Sequence, residues 1–158
     1  MNKRQKKKKT KIRNKKLIEN YPFLLIRNRW TGKVIDNPYS FTELDFMPNG
    51  WRKAFGIKLC EELRQELVKH DCYDYRILQI KEKYGELRWY DNYSVGKSSK
   101  IINKYIELSK KTCICCGSQK GVEMTDFCGY ISPYCTGCKK AIIERIAGRQ
   151  ERILRQKL

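Results

Sequence analysis

The chain has 158 residues, and its 35 Lys and Arg against 17 Asp and Glu give a formal net charge of +18. This length predicts one domain or two small ones and excludes a large multidomain enzyme. Because no run of 18 apolar residues and no apolar N-terminal segment occurs, we predict neither a transmembrane helix nor a secretory signal, and a cytoplasmic location. Eight Cys in such a chain favour metal ligation over disulfide bonds.

The positive charge is concentrated at the two ends of the chain. Residues 1–16 hold ten Lys or Arg and no acid, and residues 139–158 hold seven basic and two acidic residues, whereas residues 17–138 are nearly balanced. A lysine run buries too little apolar surface to fold alone, so we predict a disordered basic arm over 1–16. We expect this arm to contact phosphates and to add salt-dependent affinity, with a solvating tail as the alternative.

Residues 17–111 predict a two-layer α+β body of short strands and two amphipathic helices. Apolar runs at 21–26 and 33–35, separated by Gly32, indicate two strands and a turn. The Pro-containing segment 36–50 indicates an irregular loop, whose apolar side chains we expect to fill a core rather than to bind bases. These side chains are Tyr39, Phe41, Leu44 and Phe46.

The rest of the body alternates helices with one hairpin. Large apolar residues every fourth position predict a helix from an N-cap at Asn49 to near Lys69. Segments 75–82 and 86–91 predict a β-hairpin around Tyr84 and Gly85, with Leu78, Ile80, Leu87 and Trp89 on one face. Ser98 or Ser99 is expected to cap a second helix. Because each element has one apolar face, we expect the helices to cover the hairpin.

Residues 112–158 contain the pattern C-x2-C-x18-C-x2-C, formed by Cys113, Cys116, Cys135 and Cys138. Two residues between paired thiolates let one turn direct both sulfurs to one ion, so we predict a structural Zn²⁺ site. Cys115 is an alternative to Cys116, which is preferred because Gly117 follows it. Free thiols, a redox pair and an Fe–S cluster are less favoured uses. We interpret Cys60, Cys72 and Cys128 as reduced cysteines outside the site.

The segment around these cysteines resembles a treble-clef zinc finger. A small hairpin around residues 126–129 returns the second Cys pair to the first, and a basic helix continues to the C-terminus with a break at Gly148. Four thiolates leave no open coordination position for a substrate, and the single histidine, His70, ends a helix. We interpret the glutamates as a solvated face. We therefore predict no enzyme activity and no small-molecule substrate.

Four segments resemble a family of small proteins from phages and prophages of low-GC Gram-positive bacteria. The similarity covers about residues 20–138 and is carried by YPFLLIRNRWTG at 21–32, GWRKAFG at 50–56, QIKEKYGELRWY at 79–90, and residues 112–135, which end in ISPYC. It implies a phage accessory protein in the cytoplasm of the host cell. Some small phage metalloproteins inhibit type II CRISPR effectors, so anti-CRISPR activity is the alternative that the resemblance implies.

Together these features predict a zinc-binding, non-enzymatic protein that binds nucleic acid or a nucleoprotein and no membrane. Phosphate contacts are expected from the arm, from the 27–30 segment and from the C-terminal helix. The residues that we predict for this role are Lys6, Lys7, Lys8, Lys9, Arg27, Arg29, Arg145 and Arg149. The alternative is docking on a host defence effector by protein–protein contact.

Overall fold

The computed structural model describes residues 2–155 and confirms the α+β class. Within these residues, the first two strands in chain order pair into one antiparallel sheet and the last two pair into another. The elements are α1 (Lys3–Asn20), α2 (Asn49–Trp51), a π-helical turn (Arg52–Gly56), α3 (Ile57–Lys69), β1 (Ile77–Lys83), β2 (Glu86–Asp91), α4 (Ser98–Lys110), β3 (Val122–Phe127), β4 (Tyr130–Cys135) and α5 (Thr136–Arg155). Within residues 2–155, none of the helices combines the length and the apolar character that a membrane crossing requires.

The lysine-rich N-terminus forms the helix α1 and is not the disordered arm that we predict from the sequence. Asn2 and Gln5 form a reciprocal capping box at the start of α1. Further along, Asn14 is fully buried and its Nδ2 donates to the Tyr39 carbonyl at 3.0 Å. Ile18 joins the core. The C-terminal half of α1 is therefore held by tertiary contacts, and the N-terminal half continues the helix into solvent.

The two strands predicted over 21–26 and 33–35 are not formed. A short 3₁₀ helix, Pro22–Leu24, takes their place, followed by a single bridge between Arg27 and Val34. Proline is well suited to the first turn of a helix, and this turn buries both Phe23 and Leu24. A consecutive apolar run can thus be buried by a helical turn as well as by a strand.

The first predicted amphipathic helix is confirmed as one continuous helical stretch from α2 through the π turn to α3. Its N-cap is Pro48 rather than Asn49. The predicted stripe forms the centre of the core, with Trp51, Phe55, Leu59 and Leu63 all at most 2% exposed.

The predicted first hairpin is confirmed, and it packs against α4. Ile80 pairs with Trp89 across the ladder, and both are buried together with Leu87. Leu78, expected on the same face, is exposed instead, because the register shifts between Ile77 and Gln79 and turns Ile77 to the core. The helix α4 contacts both this hairpin and α3.

The cysteine-containing module packs on the first turn of the long helical stretch through direct backbone contact. The Gly50 amide donates to the Ile114 carbonyl at 2.9 Å. A Cβ at Gly50 would lie 2.2 Å from the Cys113 carbonyl oxygen, so only glycine permits this approach. The helix α5 is continuous through Gly148, without the predicted break, and residues 156–158 of the predicted helix lie outside the described residues.

Candidate metal centre

The first cysteine pair lies on a tight knuckle directly after α4. The Gly117 amide donates to the Cys113 carbonyl at 2.9 Å, and Gly117 itself has a φ of +84°, the left-handed conformation that this turn requires. The Cys113 amide donates to the Ser118 carbonyl at 2.8 Å. These bonds turn the chain back on itself within six residues, so that the Cys113 and Cys116 side chains point to the same side.

The second pair is delivered by the hairpin β3–β4 and the start of α5. Cys135 is the last residue of β4 and pairs with Val122, while Cys138 lies in the first turn of α5. The connecting turn uses Cys128 and Gly129, with φ values of +57° and +87°. This confirms the predicted hairpin and explains how 18 intervening residues return the chain to the knuckle.

The four sulfurs converge on one point. All four Sγ atoms of Cys113, Cys116, Cys135 and Cys138 lie within 4.8 Å of one another, and those of Cys116 and Cys135 are 3.6 Å apart. A tetrahedral site with metal–sulfur bonds of about 2.3 Å separates its sulfurs by about 3.8 Å. A disulfide would bring a pair to about 2.05 Å. The spacing therefore fits a four-thiolate metal site and not two disulfide bonds.

The backbone around Cys113 favours its thiolate form. Burial alone raises the pKa of this thiol, but the amides of Cys116, Cys135 and Cys115 hydrogen-bond the sulfur and lower the pKa to about 6. The Ser118 amide likewise approaches the Cys116 sulfur at 3.5 Å. Amide donors directed at thiolates offset their negative charge. The donor set and its surroundings together fit a divalent ion that prefers sulfur.

The structure favours Cys116 over Cys115 as the fourth member of the group. The Cys116 sulfur belongs to the convergent set, and Cys115 does not. Elsewhere, Cys60 is fully buried on α3, where burial raises its pKa to about 12. The Cys72 thiol donates to the His70 carbonyl, and Cys128 lies in the β3–β4 turn.

The predicted phosphate-contacting residues are all exposed, but they lie on three separate parts of the surface. Lys6, Lys7, Lys8 and Lys9 lie on α1, Arg27 and Arg29 lie in the loop before Val34, and Arg145 and Arg149 lie one turn apart on α5.

The loop between Arg27 and Val34 has a defined conformation. Asn28 Oδ1 accepts the amides of Trp30 and Thr31 at 2.9 Å, and the Gly32 amide donates to the Asn28 carbonyl at 2.8 Å. This turn presents the Trp30 side chain, which is 95% exposed, directly after Arg29. A side chain of this size exposed on an ordered turn is suited to contact with a partner.

Sequence reasoning missed a second aromatic surface on the loop before α2. Of the apolar residues expected to fill the core there, Leu44 is buried, but Phe41 is 61% and Phe46 is 56% exposed. Both lie beside α1, whose course the sequence did not indicate. The only available signal was the high density of aromatic residues next to a basic segment.

The acidic groups and the single histidine form structural contacts. The His70 ring lies 3.2 Å from Glu66 Oε1, which also accepts the Lys97 amide at 2.7 Å. Glu61 pairs with Arg64, and Glu86 with Arg88 and Lys110. The Cys72 thiol is bonded to the His70 backbone and not to its ring. These groups are thus engaged in fixing α3 and its neighbours.

Comparison of the chain with protein-family models, with curated proteins and with solved structures finds no match. The resemblance to phage proteins therefore stays a prediction, and the case for a function depends on the geometry of the chain itself.

Proposed function

We propose that this protein is a non-enzymatic, zinc-stabilised nucleic-acid-binding protein. The observation that carries the proposal is the distribution of charge: residues 17–138 are nearly neutral, and the excess positive charge is presented on two helices at opposite ends of the chain. Clustered Lys and Arg on exposed helix surfaces bind phosphates with release of counterions. Such contacts position a nucleic acid without requiring a defined sequence.

Zinc is the ion that the donor set fits best. Four thiolates in a compact tetrahedron suit Zn²⁺, which needs no redox partner. With four protein ligands the coordination sphere is complete, so the ion would fix the knuckle, the second hairpin and α5 without activating water. Its function in the proposal is to hold α5 in place as a basic helix of about 30 Å.

The charge model is tested by removing four positive charges at once. The variant Lys6→Gln, Lys7→Gln, Lys8→Gln, Lys9→Gln is compared with a matched variant that replaces Lys58, Lys69, Lys100 and Lys111 by Gln on the body. We expect the first variant to lower the slope of log K against log salt by about 3, and the second to change it little. Equal slopes in both variants would refute a specific function of α1.

Metal identity is tested separately by elemental analysis of the purified protein. We expect one Zn²⁺ per chain, and loss of the metal in Cys116→Ser but not in Cys115→Ser. Iron with a visible absorption band would replace zinc in the proposal. No bound metal in the native protein would remove the stabilising component entirely.

A second candidate function, inhibition of a host type II CRISPR effector by protein contact, is favoured by one surface. Where the turn of the first hairpin lies against β3 and β4, four large side chains are 44% to 77% exposed, namely Tyr84, Met124, Tyr130 and Ile131. An apolar patch of this kind suits protein docking. Co-purification with such an effector after nuclease treatment, lost in Tyr84→Ala together with Met124→Ala but kept in the four-lysine variant, would support this function over the first.

A further inference from the structure

An open groove of about 530 Å³ runs between α1 and the loop before α2. One wall is basic and the other carries an aromatic ring. Its lining residues are Lys6, Lys7, Thr10 and Lys11 on α1, and Asn37, Ser40 and Phe41 on the loop. A smaller groove of about 280 Å³ continues from Phe41 past Phe46 to Arg52. The two together form one track, which we call the α1 groove.

The walls of the α1 groove are fixed by buried and ionic contacts. Asn14 joins α1 to the loop through the Tyr39 carbonyl, and its side chain is fully buried. Arg13 approaches Asp45 Oδ1 at 3.3 Å, and the same carboxylate accepts the Thr42 amide at 2.8 Å. Arg52 also pairs with Asp45. Asp45 and Arg52 also line the smaller part of the groove, where their pairing places a compensated carboxylate in the wall. Because the walls are fixed by contacts within the protein, the groove is formed before any ligand enters it.

The chemistry of the α1 groove combines two kinds of contact. The Lys6, Lys7 and Lys11 side chains supply ammonium groups, and Phe41 and Phe46 supply exposed rings along the same track. Lysines that follow a backbone and aromatic rings that stack on successive bases are how proteins bind single-stranded nucleic acid without sequence preference. The bases of a duplex are already stacked on one another, so their faces are inaccessible to these rings.

We propose that the α1 groove binds single-stranded nucleic acid, with phosphates on the lysines of α1 and unpaired bases stacked on Phe41 and Phe46. This inference rests on the proposed function and deepens it, because it names the strand state of the ligand. An acidic peptide would satisfy the lysines alone. It would leave the two rings without the flat π partners that bases provide, which is why the single strand is favoured.

The test measures binding of fluorescent dT10 and of a 20-base-pair duplex by anisotropy. The variant with both Phe41→Ala and Phe46→Ala is compared with the unaltered protein. Tyr73→Ala is the matched control, since Tyr73 is 77% exposed on the loop after α3. We expect the double variant to weaken dT10 binding by at least about 10-fold. Duplex affinity should change less than twofold, and Phe41→Tyr should keep dT10 affinity, because a tyrosine ring stacks equally well.

Each other outcome has a defined meaning. Equal losses on dT10 and duplex, or no loss on either, would overturn the groove inference. In that case a reduced salt slope in the four-lysine variant would still support nucleic-acid binding through α1, so the two proposals fail separately. Tighter binding of a poly-glutamate peptide than of dT10, with the same dependence on the two phenylalanines, would also overturn the inference. Unchanged melting temperatures would show that the variants fold.

Discussion

The two β-hairpins have similar backbones and different sources of stability. Each joins two antiparallel strands of six or seven residues through a two-residue turn with positive φ, at Tyr84 and Gly85 in the first and at Cys128 and Gly129 in the second. In the first hairpin Ile80, Leu87 and Trp89 are buried. In the second, all six residues of β3 are exposed or half-buried.

This difference shows which hairpin depends on something other than buried apolar packing. The first hairpin is covered by α4, and the Leu87 amide even donates to Ser109 Oγ of that helix at 2.9 Å. The second hairpin buries mainly Ser132 and Pro133, and an isolated hairpin with so little apolar burial is marginally stable at best. A metal ion bound by the cysteine cluster at its end would supply, by cross-linking, the stability that the core supplies to β1–β2.

Metal removal is expected to have the largest effect and to separate the two hairpins. Structural zinc contributes on the order of 10 kcal/mol to small zinc domains, so a strong chelator should abolish protection of the β3, β4 and α5 amides against hydrogen exchange. The β1, β2 and α4 amides should keep most of their protection. Unchanged exchange in β3–β4 after chelation would show that packing alone holds the second hairpin.

A matched truncation in each hairpin comes next in size. Leu87→Ala removes a fully buried side chain and should cost about 2–5 kcal/mol in the free energy of unfolding. Met124→Ala removes a side chain that is 48% exposed and should change that energy by less than about 0.5 kcal/mol. Urea unfolding of the metal-loaded protein measures both. Similar costs at the two positions would contradict the contrast between the hairpins.

The pH dependence of stability provides a third test, at the segment that packs against β1. Glu43 is 4% exposed and one of its carboxylate oxygens lacks a hydrogen-bond partner. Burial raises its pKa from 4.5 to about 7, against the opposing influence of Arg29. The folded protein therefore holds the Glu43 proton more tightly than the unfolded chain does. The resulting stabilisation is complete below pH 4.5 and is lost as the pH rises through 7.

Glu43→Gln should remove this dependence, because a neutral amide occupies the same place. Between pH 5 and pH 8 the variant should gain about 2–3 kcal/mol relative to the unaltered protein, measured by urea unfolding. Acid should instead destabilise the cysteine module, because its thiols must lose their protons to bind a metal ion. Glu123→Gln, on an exposed side chain of β3, is the control. Parallel pH curves for the two variants would contradict the assignment.

The smallest expected difference lies between the two turns. An added Cβ at Gly129 meets nothing within 4 Å. Gly129→Ala should therefore lower the free energy of unfolding only by the cost of a left-handed backbone at alanine, about 1 kcal/mol. At Gly85 an added Cβ would lie 2.2 Å from Met124 Cε and 3.2 Å from the Ile131 carbonyl oxygen. Gly85→Ala should therefore cost more than Gly129→Ala in thermal unfolding. The excess should shrink when Met124 is also replaced by alanine.

Local patterns in the sequence predict much of the fold and of the candidate site. The fourfold spacing of apolar residues identifies the long helical stretch, and Tyr84-Gly85 marks the first hairpin, because both signals arise from neighbouring residues. The spacing of Cys113, Cys116, Cys135 and Cys138 predicts their convergence, since a knuckle and a hairpin suffice to bring them together. Metal-ligand spacing is a geometric requirement, which makes it readable without tertiary information.

The features that the sequence does not reveal depend on distant contacts. The order of α1 depends on Asn14, a polar residue buried against a carbonyl 25 positions away, and no periodicity marks such an anchor. Exposure of Phe41 and Phe46 follows from the course of α1 beside them. Leu78 lies on the opposite side from its expected face because a register shift in β1 is invisible to simple alternation.

The contact between the cysteine knuckle and the long helical stretch makes Trp51 a natural optical sensor of metal occupancy. Its indole Nε1 donates to the Thr112 carbonyl at 2.8 Å, directly before the first cysteine of the cluster, and the ring is fully enclosed. Disturbing the knuckle would alter the polarity around this ring, and with it the emission wavelength of the indole. With the exposed Trp30 replaced by phenylalanine, Trp51 and Trp89 remain, and Trp89 lies on β2 in the first hairpin. A change of emission on metal loading would then report the surroundings of Trp51, without any attached dye.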